Sequence, residues 1–223
     1  YTLAYENSVS GKPLMRPLFF DEPDNSALYN SSESYLWGDA FLVHPILKSG
    51  EKKATIYFPK NSNWFDFKTG NMYGGGRTEN VNISEDHIPT FVRSNAFVPM
   101  VKTVQNTAEY SLKNFDVHFY WDATKLTTTY SLYNDDGQTP NAATEGKSEK
   151  IVFSCKPEGN VLTVKMANTV GKNFSASDKN VVLIVHNLSA AKKVTVKGKS
   201  ITFKAVGNTL EMPVVLEKGT TSE

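Results

Sequence analysis

The sequence predicts a mostly β chain with two consecutive antiparallel β-sandwich domains, preceded by a short helix–strand unit. From Tyr35 onward, short runs rich in β-branched and aromatic residues alternate with clusters of Gly, Pro, Asn and Asp, which is typical of many short strands joined by tight turns. No helical period of useful length follows Val9. A more polar stretch, Val104–Asn114, separates a first set of strands from a second, so we predict two sandwiches rather than one.

The first predicted element is a helix that leads into a buried strand. Residues Tyr1–Val9 fit the end of a helix, and Ser10-Gly11 is a typical stop signal. The run Leu14–Phe20 is apolar on both faces, which predicts a buried parallel strand. Arg16 is the charged residue of that run. Because a buried guanidinium needs a partner, we expect an ion pair between Arg16 and a neighbouring strand.

The remaining elements are short strands, identified by their β-branched and aromatic residues. In the first set they are Ala40–Leu47, Ala54–Phe58, Trp64–Asp66, Val81–Ile83, Thr90–Val92 and Ala96–Met100. In the second set they are Asp116–Trp121, Thr128–Tyr133, Lys150–Ser154, Val161–Met166, Val181–His186, Lys193–Val196, Ser200–Ala205 and Thr209–Val214. The turn around Gly198 indicates a β-hairpin. We therefore expect a helix–strand unit at 1–35 and two sandwiches at 36–113 and 114–223.

Composition excludes several classes of partner and cofactor. A formal net charge of +1 gives no reason to expect nucleic acid or an anionic membrane as partner. The single cysteine, Cys155, cannot form an internal disulfide or build a metal site alone. The histidines His44, His87, His118 and His186 are isolated from one another and match no zinc pattern, so we expect no metal or cofactor. Those within strands, His44 and His118, are expected to bond backbone groups.

Carboxylates are most densely clustered at Asp21, Glu22 and Asp24. Glycoside hydrolysis uses two carboxyl groups at a fixed separation, one of which has a raised pKa. Three acids around Pro23 in a polar loop favour ordinary solvated side chains, so we expect no catalytic residue among them.

Two further candidates have a structural and a functional interpretation. The run Tyr133–Gly137 holds adjacent acids that could bind calcium, but Asp-Gly between strands favours a turn. Tyr73 precedes three glycines and is the best candidate for a surface contact with sugar. The aromatic residues Phe65, Phe67 and Trp121 are expected in the core.

Five motifs follow one another in an order that resembles the C-terminal region of glycoside hydrolase family 31, which includes α-glucosidases and α-xylosidases. They are GKPLMRPLFF, YLWGDAFLVHPIL, YFPKNSNWFDFKTG, HIPTFVRSNAFVPM and YSLYNDDGQT. The resemblance covers Tyr1 to about Ser154 and departs from the family pattern at Ser94 and Asn95, in a turn. The segment around Gly38-Asp39 joins barrel to sandwich in the family, so its role is expected to be structural.

The resemblance implies that this chain is a non-catalytic portion of an enzyme. In the family, the catalytic aspartates precede every segment present here, and the parent reaction is retaining hydrolysis of α-glucosidic or α-xylosidic bonds. Residues 1–35 would be the last helix–strand unit of a (β/α)8 barrel, followed by a proximal and a distal sandwich that brace it. Asp21 and Glu22 would then contribute to the rim of the active site.

The expected partners are the missing catalytic barrel and, through it, an oligosaccharide. The alternative is a stand-alone carbohydrate-binding or structural sandwich module, which would present an exposed coplanar aromatic platform. Residues 1–20 carry apolar side chains that need cover, so this segment is expected to pack on its own sandwich or to exchange with a second copy. A periplasmic or secreted location would suit a parent that degrades glycans.

Overall fold

The computed structural model describes residues 1–124 and 127–222 of the chain. The protein is mostly β, with several sheets, as predicted. Contacts divide it into two compact units: the first unit is residues 6–96, and the second unit is residues 1–5 together with 97–223. No helix within the described residues is long and apolar enough to cross a membrane.

The first unit contains a six-stranded antiparallel sheet and a separate strand pair. After helix α1 (Thr2–Ser10), its strands are β1 (Met15–Pro17), β2 (Tyr35–Trp37), β3 (Phe41–Val43), β4 (Lys53–Phe58), β5 (Trp64–Asp66), β6 (Met72–Tyr73), β7 (Arg77–Asn82) and β8 (Thr90–Arg93). The sheet order is β1-β2-β3-β8-β5-β6, and β4 pairs with β7. Alternating side chains of β4, such as Ile56 and Phe58, join Leu36, Leu42 and Trp64 in one core.

The predicted buried parallel strand Leu14–Phe20 is wrong in length and direction. Strand β1 covers three residues and pairs antiparallel with β2, placing Met15 opposite Trp37. The chain then forms a short 3-10 turn at Leu18–Phe20. Only the middle residue of β1, Arg16, is buried, and the strand ends at Pro17, which has no N–H to donate to the sheet. Strand β1 therefore belongs to the same sheet as β2 and β3.

The second unit contains two larger sheets. Its strands are β9 (Phe97–Met100), β10 (Asn114–Tyr120), β11 (Thr128–Asp135), β12 (Ser148–Glu158), β13 (Val161–Val170), β14 (Lys179–His186), β15 (Thr195–Val196), β16 (Lys199–Ser200), β17 (Lys204–Val206), β18 (Thr209–Leu216) and β19 (Thr221–Ser222). Their orders are β17-β18-β14-β10-β9 and β11-β12-β13-β19. Strands β10 and β14 pair in parallel, so the prediction of a wholly antiparallel sandwich is wrong for the first of these sheets. Phe119 and Leu183 of the first sheet share one core with Ile151, Phe153 and Met166 of the second, which is consistent with a β-sandwich.

The start of helix α1 packs on strand β11 within the second unit. The Thr2 hydroxyl accepts a hydrogen bond from the Tyr133 N–H at 3.1 Å and donates one to the Tyr133 carbonyl at 3.4 Å. The Tyr5 ring stacks on Tyr133 with centroids 3.7 Å apart. Thr2 and Tyr5 therefore pack on a sheet of this chain. Packing of residues 1–20 as a whole on their own sandwich stays a prediction, since Met15 and Phe20 are exposed. Exchange of residues 1–20 with a second copy stays a prediction.

Most predicted strands are present, with shifted ends. The predicted hairpin at Gly198 is the β15–β16 pair, whose turn residues Lys197 and Gly198 both have a positive φ. Strands β2, β6 and β19 were not predicted, and the run Ser200–Ala205 contributes to two short strands rather than one. The boundary between the two compact units lies between Ala96 and Phe97. The division into three parts, at 35/36 and 113/114, stays a prediction.

Candidate functional site

Strand β1 is held to the β2–β3 turn by a buried guanidinium. Arg16 is 3% exposed, and its Nη2 donates to the Asp39 carboxylate and the Gly38 carbonyl, both at 2.6 Å. Gly38 has a positive φ of 58°, and its N–H donates to the Leu14 carbonyl at 2.8 Å. The predicted ion pair of Arg16 and the structural role of Gly38-Asp39 are both confirmed.

Glu22, a predicted rim residue, is buried in the loop after β1. It is 2% exposed, and its carboxylate accepts hydrogen bonds from the Tyr57 hydroxyl at 2.9 Å and the Lys60 N–H at 2.6 Å. The Asn25 amide donates a third at 3.1 Å. Burial alone would raise the pKa of Glu22, but these donors lower it below its ordinary value. Glu22 is therefore an ionised acceptor that fastens its loop to strand β4 and the residues after it.

Asp21, the other predicted rim residue, is paired with Arg93 at the end of β8. The Arg93 Nη2 donates to the Asp21 carboxylate, and its Nε donates to the Asp39 carbonyl at 2.8 Å. The same guanidinium lies 4.4 Å above the Trp64 ring, a cation–π contact. Arg93 thus connects the acidic loop, the β2–β3 turn and strand β5. Asp21 and Glu22 lie in one loop but have separate partners, and Asp24 is exposed.

A general acid for glycoside hydrolysis needs a raised pKa, whereas Glu22 has a lowered one. Asp21 is committed to an ion pair. In this setting both side chains fix the loop conformation. Their contribution to the rim of an active site stays a prediction.

Tyr73, the predicted sugar contact, is half-buried in β6. Its ring stacks on Phe58 with centroids 4.9 Å apart and meets the edge of Phe91 at 5.5 Å. The glycine-rich loop after it packs closely, since a Cβ on Gly75 would lie 2.1 Å from the Ser62 carbonyl oxygen. One face of Tyr73 is therefore already occupied. Whether the remainder contacts sugar stays a prediction.

The other aromatic predictions have mixed outcomes. Phe65 is buried, and Trp121 packs against the core of the second unit, as predicted. Phe67 is exposed and contacts only the edge of Phe41 among the ring contacts of the described residues, so its prediction as a core residue is wrong. Position 67 directly follows the three buried residues of β5, where the chain turns.

Large apolar side chains of the first unit lie on its surface near β1. Met15 and Trp37, opposite each other in the β1–β2 pair, are 51% and 39% exposed. Phe20 and Tyr29 are 49% and 56% exposed. Their rings both contact Phe19, at centroid distances of 5.4 and 5.8 Å. These four residues, Met15, Phe20, Tyr29 and Trp37, are called the exposed apolar group below.

The run Tyr133–Gly137 comprises the end of β11 and the start of the turn that follows it. The Asp136 carboxylate accepts hydrogen bonds from the Thr139 hydroxyl at 2.6 Å and from the Thr139 and Gln138 N–H groups at 2.8 and 3.0 Å. These donors, the Thr139 hydroxyl foremost, lower the pKa of Asp136 to about 2. The Asp135 carboxylate accepts from the Gly137 N–H at 2.8 Å. The predicted turn is confirmed.

Two histidines that are far apart in sequence form a pair in the second unit. His118 on β10 and His186 on β14 place Nδ1 and Nε2 at a distance of 2.8 Å, and Tyr120 stacks on His186 at 4.2 Å. Burial lowers the pKa of both imidazoles, that of His186 to about 4. The predicted isolation of the histidines is therefore wrong for this pair. In the sequence, the one feature that pointed to this pair is the alternation of apolar and polar residues along both strands. It places both histidine side chains on the face away from the core.

The expected backbone partners of His44 and His118 are also wrong, because both rings bond side chains. His44 Nδ1 lies 2.7 Å from the Ser34 hydroxyl, in a buried setting. His118 has the partner described above.

Comparison with known proteins identifies the region to which these residues belong. Residues 11–98 match the family model described as glycosyl hydrolase family 31 C-terminal domain. The chain is similar to a probable glucan 1,3-alpha-glucosidase of Oryza sativa subsp. japonica, with 40% identity over 99 residues, or 44% of this chain and 11% of the relative. It is also similar to an alpha-xylosidase of Saccharolobus solfataricus, with 34% identity over 146 residues, or 62% of this chain and 19% of the relative.

Solved structures share the fold of the whole chain. A family 31 dextranase of Flavobacterium johnsoniae, complexed with isomaltotriose, matches with a TM-score of 0.91 at 20% identity, over 100% of this chain and 30% of that one. An alpha-xylosidase of Xanthomonas citri matches with a TM-score of 0.76 at 20% identity, over 100% of this chain and 23% of that one.

The chain spans only 11–19% of the length of these and the other curated relatives. It spans less than a third of the two solved structures. The matched family model begins at Gly11, so it includes strand β1, in agreement with the sheet that β1 joins. The chain belongs to glycoside hydrolase family 31 and matches the C-terminal region of its enzymes.

Proposed function

We propose that this chain is the non-catalytic C-terminal portion of an α-glucosidase-like enzyme that hydrolyses α-glucosidic or α-xylosidic bonds with retention. In this role it braces the catalytic barrel and shapes the rim of the active site. The observation that carries the proposal is the exposed apolar group of the first unit. Its residues Met15 and Phe20 lie within the segment that matches the family model.

Neighbouring apolar side chains that are exposed, such as the opposed pair Met15 and Trp37, favour a surface that is covered in the complete protein. The relatives carry most of their length outside the matched region, so the rest of the polypeptide is the nearest available cover. The proposed partner is therefore the catalytic domain of the same longer chain. An oligosaccharide reaches this region only through that domain.

The acidic loop supports a rim role of a particular kind. Glu22 is bonded by Lys60 and Tyr57, and Asp21 is paired with Arg93. These contacts hold the loop in one conformation. We propose that Asp21 and Glu22 position this loop at the rim, rather than bind sugar with their carboxylates.

The two β-rich units are proposed to be the proximal and distal C-terminal sandwiches of the family. The separation of residues 6–96 from residues 97–223 supports two such parts, with the division nearer residue 97 than residue 113. Helix α1 is proposed to be the last helix of the barrel.

The experiment compares this chain with the longer enzyme that contains it, using p-nitrophenyl α-glucoside and α-xyloside. The proposal predicts turnover by the longer enzyme and none by the chain. Turnover by the chain itself would contradict it, as would binding of oligosaccharide by the chain alone, which is the result expected of a stand-alone carbohydrate-binding module.

A further inference from the structure

The histidine pair lies on the outer face of the five-stranded sheet, away from the core. Val117 and Phe119 of β10, and Val185 of β14, point into the core, so His118 and His186 project from the opposite face. Both histidines are partly buried at this face.

The backbone register brings the two rings together. Strands β10 and β14 are parallel, with His118 opposite Ile184 and Tyr120 opposite His186. The two histidines therefore occupy diagonal positions, and their side chains lean towards each other until Nδ1 and Nε2 are 2.8 Å apart. The Tyr120 ring lies parallel to His186, at an interplanar angle of 1° and a centroid distance of 4.2 Å.

The separation of these nitrogens suits a shared metal ion. Zinc–imidazole bonds are about 2.0–2.1 Å long, so two nitrogens on one ion lie about 2.9 Å apart at a right angle and about 3.3 Å apart at a tetrahedral angle. To reach this range the two nitrogens move apart by a few tenths of an ångström, and both rings turn, because each bridging nitrogen is directed at the other ring and must be directed at the ion instead. The ring that donates the shared hydrogen bond changes tautomer: its bridging nitrogen loses a proton and its other nitrogen takes one up, so no net proton is released.

Nearby charges favour a cation. Asp116 on β10 and Glu211 on β18 both act electrostatically on His118. Lys204 lies opposite Glu211 in the β17–β18 pair, one strand further away. On β9, the residues opposite His118 and Asp116 are Val98 and Met100, which carry no charge.

We propose that His118 and His186 form a binding site for one late first-row divalent metal ion, such as Zn²⁺ or Ni²⁺, with water completing the coordination. Imidazole ligands suit these ions, whereas Mg²⁺ and Ca²⁺ require oxygen ligands. This site is independent of the proposed carbohydrate function, since it lies in the second unit, outside the residues that match the family model.

The test is calorimetric titration of the untagged chain with Zn²⁺ and Ni²⁺, with Mg²⁺ as a control. We expect one equivalent of Zn²⁺ to bind the native chain, and either His118→Gln or His186→Gln to weaken binding at least tenfold. His87→Gln, at a partly exposed histidine of the other unit, should leave the affinity within twofold. Absence of saturable Zn²⁺ binding, or equal affinity in all three variants, would overturn the proposal.

A second measurement needs no variant and covers the case in which one fails to fold. Long-range ¹⁵N spectra of the native imidazoles are recorded with and without Zn²⁺. Changes at Nδ1 of His118 and Nε2 of His186 are expected on saturation. Unchanged signals for both rings, or changes at His87 or His44 instead, would show that the pair does not bind the metal.

Discussion

Individual polar residues, each with several partners, join segments of this protein that are distant in sequence. Glu22 and Arg93 do so in the first unit, and Glu149 does so in the second. Removing such a residue leaves its former partners buried without a hydrogen bond, which costs more than the bond itself contributes. The effect of a substitution should therefore follow the number of partners rather than the charge that is lost.

Glu22→Ala should destabilise the protein by about 2–3 kcal/mol, since hydrogen bonds to a charged group contribute about 1.5–3 kcal/mol and three donors lose their acceptor. Asp24→Ala, an exposed acid in the same loop, should change stability by about 0.5 kcal/mol or less. Urea unfolding of both variants measures the difference. Equal values for the two would show that the Glu22 contacts do not hold the loop.

The turn after β11 should depend on pH in the acid range. The Thr139 and Gln138 donors lower the pKa of Asp136 from 3.8 to about 2 in the folded chain. A lowered carboxyl pKa stabilises the folded state fully above pH 3.8, and this contribution is lost as pH falls towards 2. An NMR titration of the Asp136 carboxyl carbon should show a midpoint near 2, and a midpoint near 3.8 would contradict the hydrogen bonds described.

Sequence reasoning succeeded at residues whose requirement is local. A charged side chain in an apolar strand needs a partner, which predicted the ion pair of Arg16, and Asp-Gly predicted the turn at residues 136–137. It could not find Tyr57 and Lys60 as partners of Glu22, because they lie 35 and 38 residues further along the chain. The pairing of His118 and His186, 68 residues apart, depends on the register of two strands, which no local pattern specifies.

Strands and turns were predicted better than the pairing between them. Turn residues and β-branched runs are local signals, so most strands were located within a few residues. Direction and neighbours depend on contacts between distant segments. This explains the error at β1, where an apolar run resembled a parallel strand but adds an antiparallel edge to the sheet.

The two sheets of the second unit are joined by a buried ion pair between β12 and β14. Lys179 Nζ lies 2.9 Å from Glu149 Oε1, and both side chains are buried. Asn134 and Asn168 also donate to the Glu149 carboxylate, at 2.9 and 3.2 Å. At this position the two sheets are therefore joined by polar contacts instead of apolar side chains.

Breaking this ion pair on one side only should cost about 3–5 kcal/mol, since it leaves a buried charge without its partner. Glu149→Leu and Lys179→Met are the single variants, and the double variant should lose less than the sum of the two. A double-mutant cycle by chemical denaturation measures this coupling. Strictly additive losses would show that the two side chains act independently.

At the scale of the whole molecule, the exposed apolar group is the observation on which the proposed role within a longer enzyme rests. The motifs in order predicted the family, because they are long and specific, and the comparisons confirmed it. The surface itself could not be predicted, since burial on one face of a short edge strand depends on which neighbours the strand acquires.

In the longer enzyme, Phe20→Ser and Trp37→Ser should lower the unfolding temperature, because fully burying a large apolar side chain contributes about 1.5–3 kcal/mol. The same changes in the isolated chain should have much smaller effects, since both side chains are exposed there. Leu47→Ser is the matched control, at 82% exposure in the same unit. Equal effects in the two proteins would mean that the catalytic domain does not cover this surface.

The most direct test of the central claim is hydrolysis of p-nitrophenyl α-glucoside and α-xyloside by the chain and by the longer enzyme, at equal molar concentration. The account predicts turnover by the longer enzyme and only the uncatalysed rate for the chain. Turnover by the chain would contradict it and would make Asp21, Glu22 and Asp24 the first residues to substitute.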